Sequence, residues 1–302
     1  MPRIVPLIII SLTISAGVYA QQDATYASYM FNGLVINPAY AGTSSSMSAS
    51  FLERFQNIGL KGAPETKTFS IHSPLAKTRA GVGLMIIDDR AGVYSQTGIN
   101  GDYAYRIPIN SKSTLSLGIQ AGAIWYRANY NDLSLLQNPD PAFTQNITEI
   151  RPNLGTGIYY YSKTGYAGLS MPHLIDITFN TTGVPIHQSM PVILTGGYVF
   201  TLNRMIKFKP NFLLQAVDGK LAEADANINI LLDEVIWFGL SYKSTRSVAL
   251  LTQVQITDQF CIGYTYQINT GPVRAIEIGS HELMANYRFK YNKRGVITPR
   301  YF

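Results

Sequence analysis

The side chains able to do chemistry are few. The chain holds four histidines, His72, His173, His187 and His281, and one cysteine, Cys261. No two histidines stand four residues apart, the spacing that puts two imidazoles on one helix face around a metal. A single cysteine excludes an intrachain disulfide framework and a Cys-rich zinc site. Ser170 lies in Gly168-Leu169-Ser170-Met171-Pro172, which lacks the second glycine of a nucleophile elbow. Asp88-Asp89-Arg90 offers neighbouring carboxylates, but on an outer loop such a run reads as a salt-bridged turn. The expectation is no catalytic site, no metal, no cofactor and no enzymatic activity.

What remains is a set of polar side chains at alternate positions of apolar segments. Arg54, Asp102, Arg106, Glu223, Asp225, Asn227, Asn229, Gln253, Gln255 and Arg288 belong to it. Such residues do one of two things inside a barrel: they pair to hold the structure, or they select a solute. Pairing is the expected use here.

The elements that must carry them are strands. In 114–126, Leu115, Leu117, Ile119, Ala121, Ala123 and Trp125 oppose Thr114, Ser116, Gly118, Gln120 and Gly122. In 222–232, Ala224, Ala226, Ile228, Ile230 and Leu232 oppose Glu223, Asp225, Asn227 and Asn229. Period two over about ten residues is the length and rhythm of a tilted membrane strand. About fourteen such segments fit between residues 46 and 290, and the last has a register break near Gly279 and Ser280. Mostly short connections (76–79, 163–164, 203–205, 233–234, 257–258) alternate with longer ones (57–65, 88–94, 128–150, 173–190, 268–274). That asymmetry matches short periplasmic turns and longer outer loops. The fold expected is an all-β transmembrane antiparallel barrel.

Composition agrees. Charged residues are 14% of the chain, against roughly 25% in an average soluble protein. Twenty tyrosines and 25 glycines suit strands between lipid and water. The net charge of +6 is scattered, with no dense basic run, so nucleic acid is not an expected partner. Residues 1–20 read as a signal peptide: Arg3, a short apolar core over 4–10, and Val18-Tyr19-Ala20 before cleavage. Residues 21–45 form a lead-in, 46–290 the barrel and 291–302 a tail.

Three stretches carry a resemblance, the third being Pro299-Arg300-Tyr301-Phe302 at the end of the sequence. The first is Tyr29-Met30-Phe31-Asn32 followed by Asn37-Pro38-Ala39-Tyr40-Ala41-Gly42. The second is Gly279-Ser280-His281-Glu282-Leu283-Met284 with Tyr287-Arg288-Phe289 after it. With Gly62-Ala63-Pro64 and Asp89-Arg90, the chain resembles the PorP/SprF family over its whole mature length. The resemblance implies an outer-membrane protein of type IX secretion and gliding in the Bacteroidota, with outer-membrane lipid around it. Its partner would be a secreted cargo protein held by its C-terminal domain, or the periplasmic ring proteins of the apparatus; a passive porin is the third alternative. Asn37-Pro38 disfavours helix, and Tyr29, Phe31 and Tyr40 could pack the lead-in beneath or inside the barrel. The residues do not choose between a plug and a periplasmic latch.

The long loops mix polar residues with apolar ones: Tyr130, Leu133, Leu135, Leu136 and Phe143 in one, and Leu174, Ile175, Ile177, Phe179, Val184 and Ile186 in the other. Apolar groups of this density either fold back over the barrel mouth or meet a partner. For the second use, Tyr130, Leu136, Phe143 and Phe179 are the expected docking residues.

Overall fold

A computed structural model describes residues 26–130, 146–175, 177–179, 186–188, 190–275 and 277–289. The strands are β1 (Ser48–Phe55), β2 (Glu65–Pro74), β3 (Ala80–Ala91), β4 (Tyr94–Pro108), β5 (Ser113–Ala128), β6 (Ile147–Ser162) and β7 (Gly165–Met171). After the small hairpin of β8 (Ile177–Phe179) and β9 (Ile186–Gln188) come β10 (Pro191–Tyr198) and β11 (Phe200–Thr201). Then follow β12 (Ile206–Val217), β13 (Lys220–Leu232), β14 (Ile236–Lys243), β15 (Ser247–Gln255), β16 (Phe260–Asn269) and β17 (Ser280–Arg288).

Neighbours in sequence pair antiparallel, and two pairings close the ring. β1 pairs β17 from Ser48↔Arg288 to Phe55↔His281, and β10 pairs both β7 and β12. Val199 interrupts the stave that β10 and β11 share, so the wall has fourteen staves. Closure is dictated by the solvent: hydrocarbon offers no partner to backbone N–H and C=O groups, so a sheet within it must have no edge.

The two faces separate as the period-two pattern requires. Ile119, Leu117, Ile228 and Leu250 are exposed on the outside, where lipid covers them, while Ser116, Gln120, Asn227 and Gln253 are buried in the lumen. Tyr105, Tyr160, Tyr198 and Tyr287 stand exposed near the strand ends that share the short turns. They form one aromatic girdle.

Three details differ from the sequence expectations. Asp88, Asp89 and Arg90 are inside β3, not on an outer loop, and the turn that follows is only Gly92-Val93. Thr97 donates to Asp88 (2.7 Å), Thr66 to Asp89 (2.5 Å) and Arg90 pairs with Asp88 (2.9 Å). The β12–β13 connection on the outer side is a two-residue turn, Asp218-Gly219, with both φ positive (50° and 73°), the geometry that suits a tight hairpin. The last strand begins at Ser280, immediately after Gly279 at φ 127°; beyond this break the backbone still bonds Ile58, whose N–H donates to the Gly279 carbonyl and whose carbonyl accepts from the Ile278 N–H, both at 2.8 Å.

Candidate functional site

The lead-in is a plug. From Tyr26 onward it runs inside the lumen as three 3-10 turns, Tyr29–Phe31, Gly33–Val35 and Pro38–Tyr40, before joining β1. Tyr29 and Leu34 are among the most buried large side chains of the described residues. The sequence explains the irregular path. The Asn37 side chain accepts from the Ala39 N–H (2.9 Å), and Pro38 supplies the fixed φ at the first position of the turn.

Its contacts are of three kinds. The first is ionic. The Glu282 carboxylate accepts from the Ala27 N–H (2.8 Å), the Ser28 N–H (3.1 Å) and the Ser28 hydroxyl (2.7 Å), and from Arg54 (2.6 Å) on the neighbouring strand. Arg54 reaches on to Gln267 (3.2 Å). Both charges are almost wholly buried, so the pair owes its worth to these extra donors: a buried carboxylate is tolerated only when its lone pairs are used.

The second kind is backbone against wall. The Asn37 amide donates to the strand carbonyls of Ile158 (3.0 Å) and Leu169 (3.4 Å), and the Ser170 hydroxyl donates to the Ile36 carbonyl (2.5 Å). Arg106 donates to the Gly42 carbonyl (2.7 Å), and the Gly42 N–H donates to His72 Nδ1 (3.2 Å). The plug lies flat here because the wall is glycine: a Cβ on Gly118 would strike Ala39, one on Gly157 would strike Asn37, and one on Gly81 would strike the Ala41 carbonyl.

The third kind is aromatic. Tyr40 meets His72 and Tyr159 edge-on, at 5.3 and 5.5 Å between centroids. Phe31 lies 6.2 Å from Trp237. The Lys209 ammonium stands 5.7 Å from Phe31, 5.8 Å from Tyr166 and 5.6 Å from Trp237. This buried lysine in an aromatic cage is a cation–π arrangement joining plug to wall. The Tyr29 hydroxyl accepts from Asn227 (2.9 Å), and Tyr26 shares a hydrogen bond with Thr68. Burial pushes both phenols well above their ordinary range.

Most of the lumen candidates of the sequence sort into pairs; Asp102 does not, being buried with neither carboxylate oxygen hydrogen-bonded among the described residues. Besides Arg54 with Glu282, Lys243 bonds Glu223 (3.0 Å), and Asp225 accepts from Ser241 (2.8 and 2.9 Å). Asn227 joins Asn211, Asn229 and Tyr29. Gln253 bonds Cys261 (3.2 Å), which accounts for the single thiol as a buried wall residue. Gln255 instead bonds the short turn below it. Arg288 lines, with Asn286, Ser48, Ser50, His72 and Gln253, a small hollow between wall and plug.

The second motif explains itself by position. Gly279 takes the positive φ, and the Ser280 hydroxyl accepts from the Asn57 N–H (3.0 Å). The His281 ring lies beside Tyr264 and Tyr266 and bonds the Tyr264 hydroxyl (2.7 Å). Glu282 clamps the plug. The structure thus brings the N-terminal and C-terminal motifs together. It also adds Lys209 and the wall glycines, which the sequence reading missed. Their signal was there: glycines at lumen-facing positions and a lysine between inward-facing Lys207 and Asn211.

Of the loop residues, Tyr130 is buried, with Tyr94 edge-on at 6.2 Å and with Tyr126 and Ile175 in the same cluster. Burial raises its phenol as well. It folds back onto the mouth rather than standing free. Leu136 and Phe143 lie outside the described residues, and only the backbone of Phe179 is described, within β8.

Fold and site together define a fourteen-staved outer-membrane barrel with its own N-terminal segment packed into the lumen. The family described as "Type IX secretion system membrane protein PorP/SprF" matches residues 18–287, and the chain belongs to it. No curated protein matches the chain significantly. Among solved structures it is similar to the CymD monoaromatic hydrocarbon channel, at 11% identity and TM-score 0.54, over 86% of this chain and 93% of that one. It is also similar to the Ralstonia pickettii toluene transporter TbuX, at 10% identity and TM-score 0.50, over 85% and 93%. At these identities the likeness is one of fold. The chain is an outer-membrane protein of type IX secretion.

Proposed function

We propose that this protein is a dedicated partner of one secreted cargo, which it helps export or holds at the cell surface by the cargo's C-terminal domain. An adhesin used in gliding is the expected kind of cargo. One observation carries the reading: the lumen is occupied by residues of the chain itself, from Tyr26 to Gly42, hydrogen-bonded and ion-paired to the wall. A barrel packed in this way offers its outer loops, rather than a pore, to a partner. This argues against a passive porin, and the hydrocarbon channels of similar fold share too little sequence to argue for one.

The test replaces Leu136, Phe143 and Phe179 together by Ser, after heat-modifiable mobility has shown that the barrel assembles. Aromatic and aliphatic anchors dominate protein interfaces, so three losses should suffice. The expected result is one cargo released to the medium or retained in the periplasm while other type IX substrates leave normally. Equal loss of every substrate would instead favour a general component acting with the periplasmic ring proteins. Unchanged location of all substrates would remove these loops from the interface.

A further inference from the structure

The short turns at the end of the barrel opposite the long loops are not alike in charge. Four of them carry only basic residues: Lys77 and Arg79 in 75–79, Lys112 in 109–112, Lys163 in 163–164 and Arg204 in 202–205. All five side chains are exposed, and none is ion-paired among the described residues. These turns follow one another around half the ring, from the β2–β3 turn to the turn before β12. The remaining turns carry the acids: Asp233 and Glu234 between β13 and β14, and Asp258 between β15 and β16.

Three of the four basic turns also carry large apolar residues. Leu75, Ile109, Leu202 and Met205 are 41%, 55%, 66% and 60% exposed. They lie just beyond Tyr105, Tyr160 and Tyr198 of the aromatic girdle. A turn with a greasy residue beside an unpaired cation, at the level of an aromatic belt, sits where acyl chains give way to headgroups. The cations then meet phosphate, and the attraction is strongest for a headgroup of net negative charge.

We propose that the arc of Lys77, Arg79, Lys112, Lys163 and Arg204 binds the headgroups of anionic phospholipid in the periplasmic leaflet, and that the acidic arc opposite does not. The barrel thereby carries an asymmetric lipid collar on the side of β2 to β12.

The test uses the full chain, purified and reconstituted in nanodiscs of equal phosphatidylglycerol and phosphatidylethanolamine, then released for native mass spectrometry. The wild type should retain phosphatidylglycerol preferentially, and less so in high salt. Replacing all five residues by Gln should lower that preference about tenfold, a discounted sum of screened single-charge effects. Arg at the three lysine positions should preserve it, and Asp233→Asn with Glu234→Gln and Asp258→Asn should not reduce it. If the fivefold variant does not assemble, Lys163→Gln with Arg204→Gln is read instead, and should show a smaller loss in the same direction. Equal retention of both lipids by the wild type would overturn the proposal, as would an unchanged preference in the Gln variant.

Discussion

Glu282, in the last strand, accepts hydrogen bonds from both the N–H and the hydroxyl of Ser28, 254 residues earlier in the chain, at 3.1 and 2.7 Å. The same carboxylate forms an ion pair with buried Arg54 at 2.6 Å. Glu282→Gln keeps the shape but removes the negative charge that faces a buried guanidinium. The expected loss is about 3 kcal/mol, as when one member of a buried pair is removed. The urea midpoint of the barrel refolded in detergent measures it. Arg54→Gln added to Glu282→Gln should recover part of the loss; an unchanged midpoint in the single variant would mean that the clamp holds nothing.

The wall glycines give a second test, with an internal control. Gly118→Ala and Gly157→Ala push a methyl group into the plug backbone or the Asn37 side chain, neither of which has room to yield. Overpacking of this sort costs about 1–3 kcal/mol. Gly101, on the lipid face of β4, meets nothing closer than 3.8 Å. Gly101→Ala should be neutral or mildly stabilising, because glycine weakens a strand interior. Equal effects at all three positions would show that the plug does not press on the wall.

Much of this was legible in the sequence, for a physical reason. The strand period is two, and one face meets lipid, so side chains of 114–126 declare their side of the wall one by one. Ser116 and Gln120 are buried and Leu117 and Ile119 exposed, as that alternation requires. The plug was not legible. Its 3-10 turns have no sustained period, and its partners, Glu282 and Arg54, are 228 residues apart. Lys209 reads as an ordinary strand lysine until Phe31, Tyr166 and Trp237 are placed around it. Asp88 and Asp89 looked like loop residues because two acids in a row are rare in strands; their hydroxyl partners, Thr97 and Thr66, lie on neighbouring strands.

A third prediction concerns alkali. The phenols of Tyr26 and Tyr29 are raised by burial, so they ionise later in the folded barrel than in the unfolded chain. A group with a raised folded pKa contributes stability that is intact below the unfolded value, near 10 for tyrosine, and lost as pH climbs above it. Stability should therefore hold level toward pH 10 from below and then fall, by up to about 1.4 kcal/mol per pH unit for each phenol. Tyr26→Phe with Tyr29→Phe should be less stable at neutral pH, because the Asn227 and Thr68 hydrogen bonds are lost. Its decline above pH 10 should nevertheless be shallower. A parallel decline in wild type and double variant would show that these phenols do not govern it.

The last prediction fixes the direction of the barrel, on which both functional proposals depend. The short turns, among them Lys163-Thr164, share one end of the staves, and the connections 129–146 and 172–190 share the other. Outer-membrane barrels keep their short turns in the periplasm and their longer loops outside. The segment 131–145 carries Asn138, Pro139, Asp140 and Pro141, a composition that suits an exposed position. An epitope inserted after Asn138 should bind antibody on intact cells. The same epitope between Lys163 and Thr164 should bind only after the outer membrane is opened. Both variants must first show normal heat-modifiable mobility, since the β6–β7 turn is tight: the Ser162 hydroxyl accepts from the Gly165 N–H at 3.0 Å. Labelling at Lys163-Thr164 on intact cells, with none at Asn138, would invert the barrel. The cargo would then have to meet the short turns and the basic arc would face the outer leaflet, so cargo docking at the loops and the periplasmic lipid collar would both be lost together.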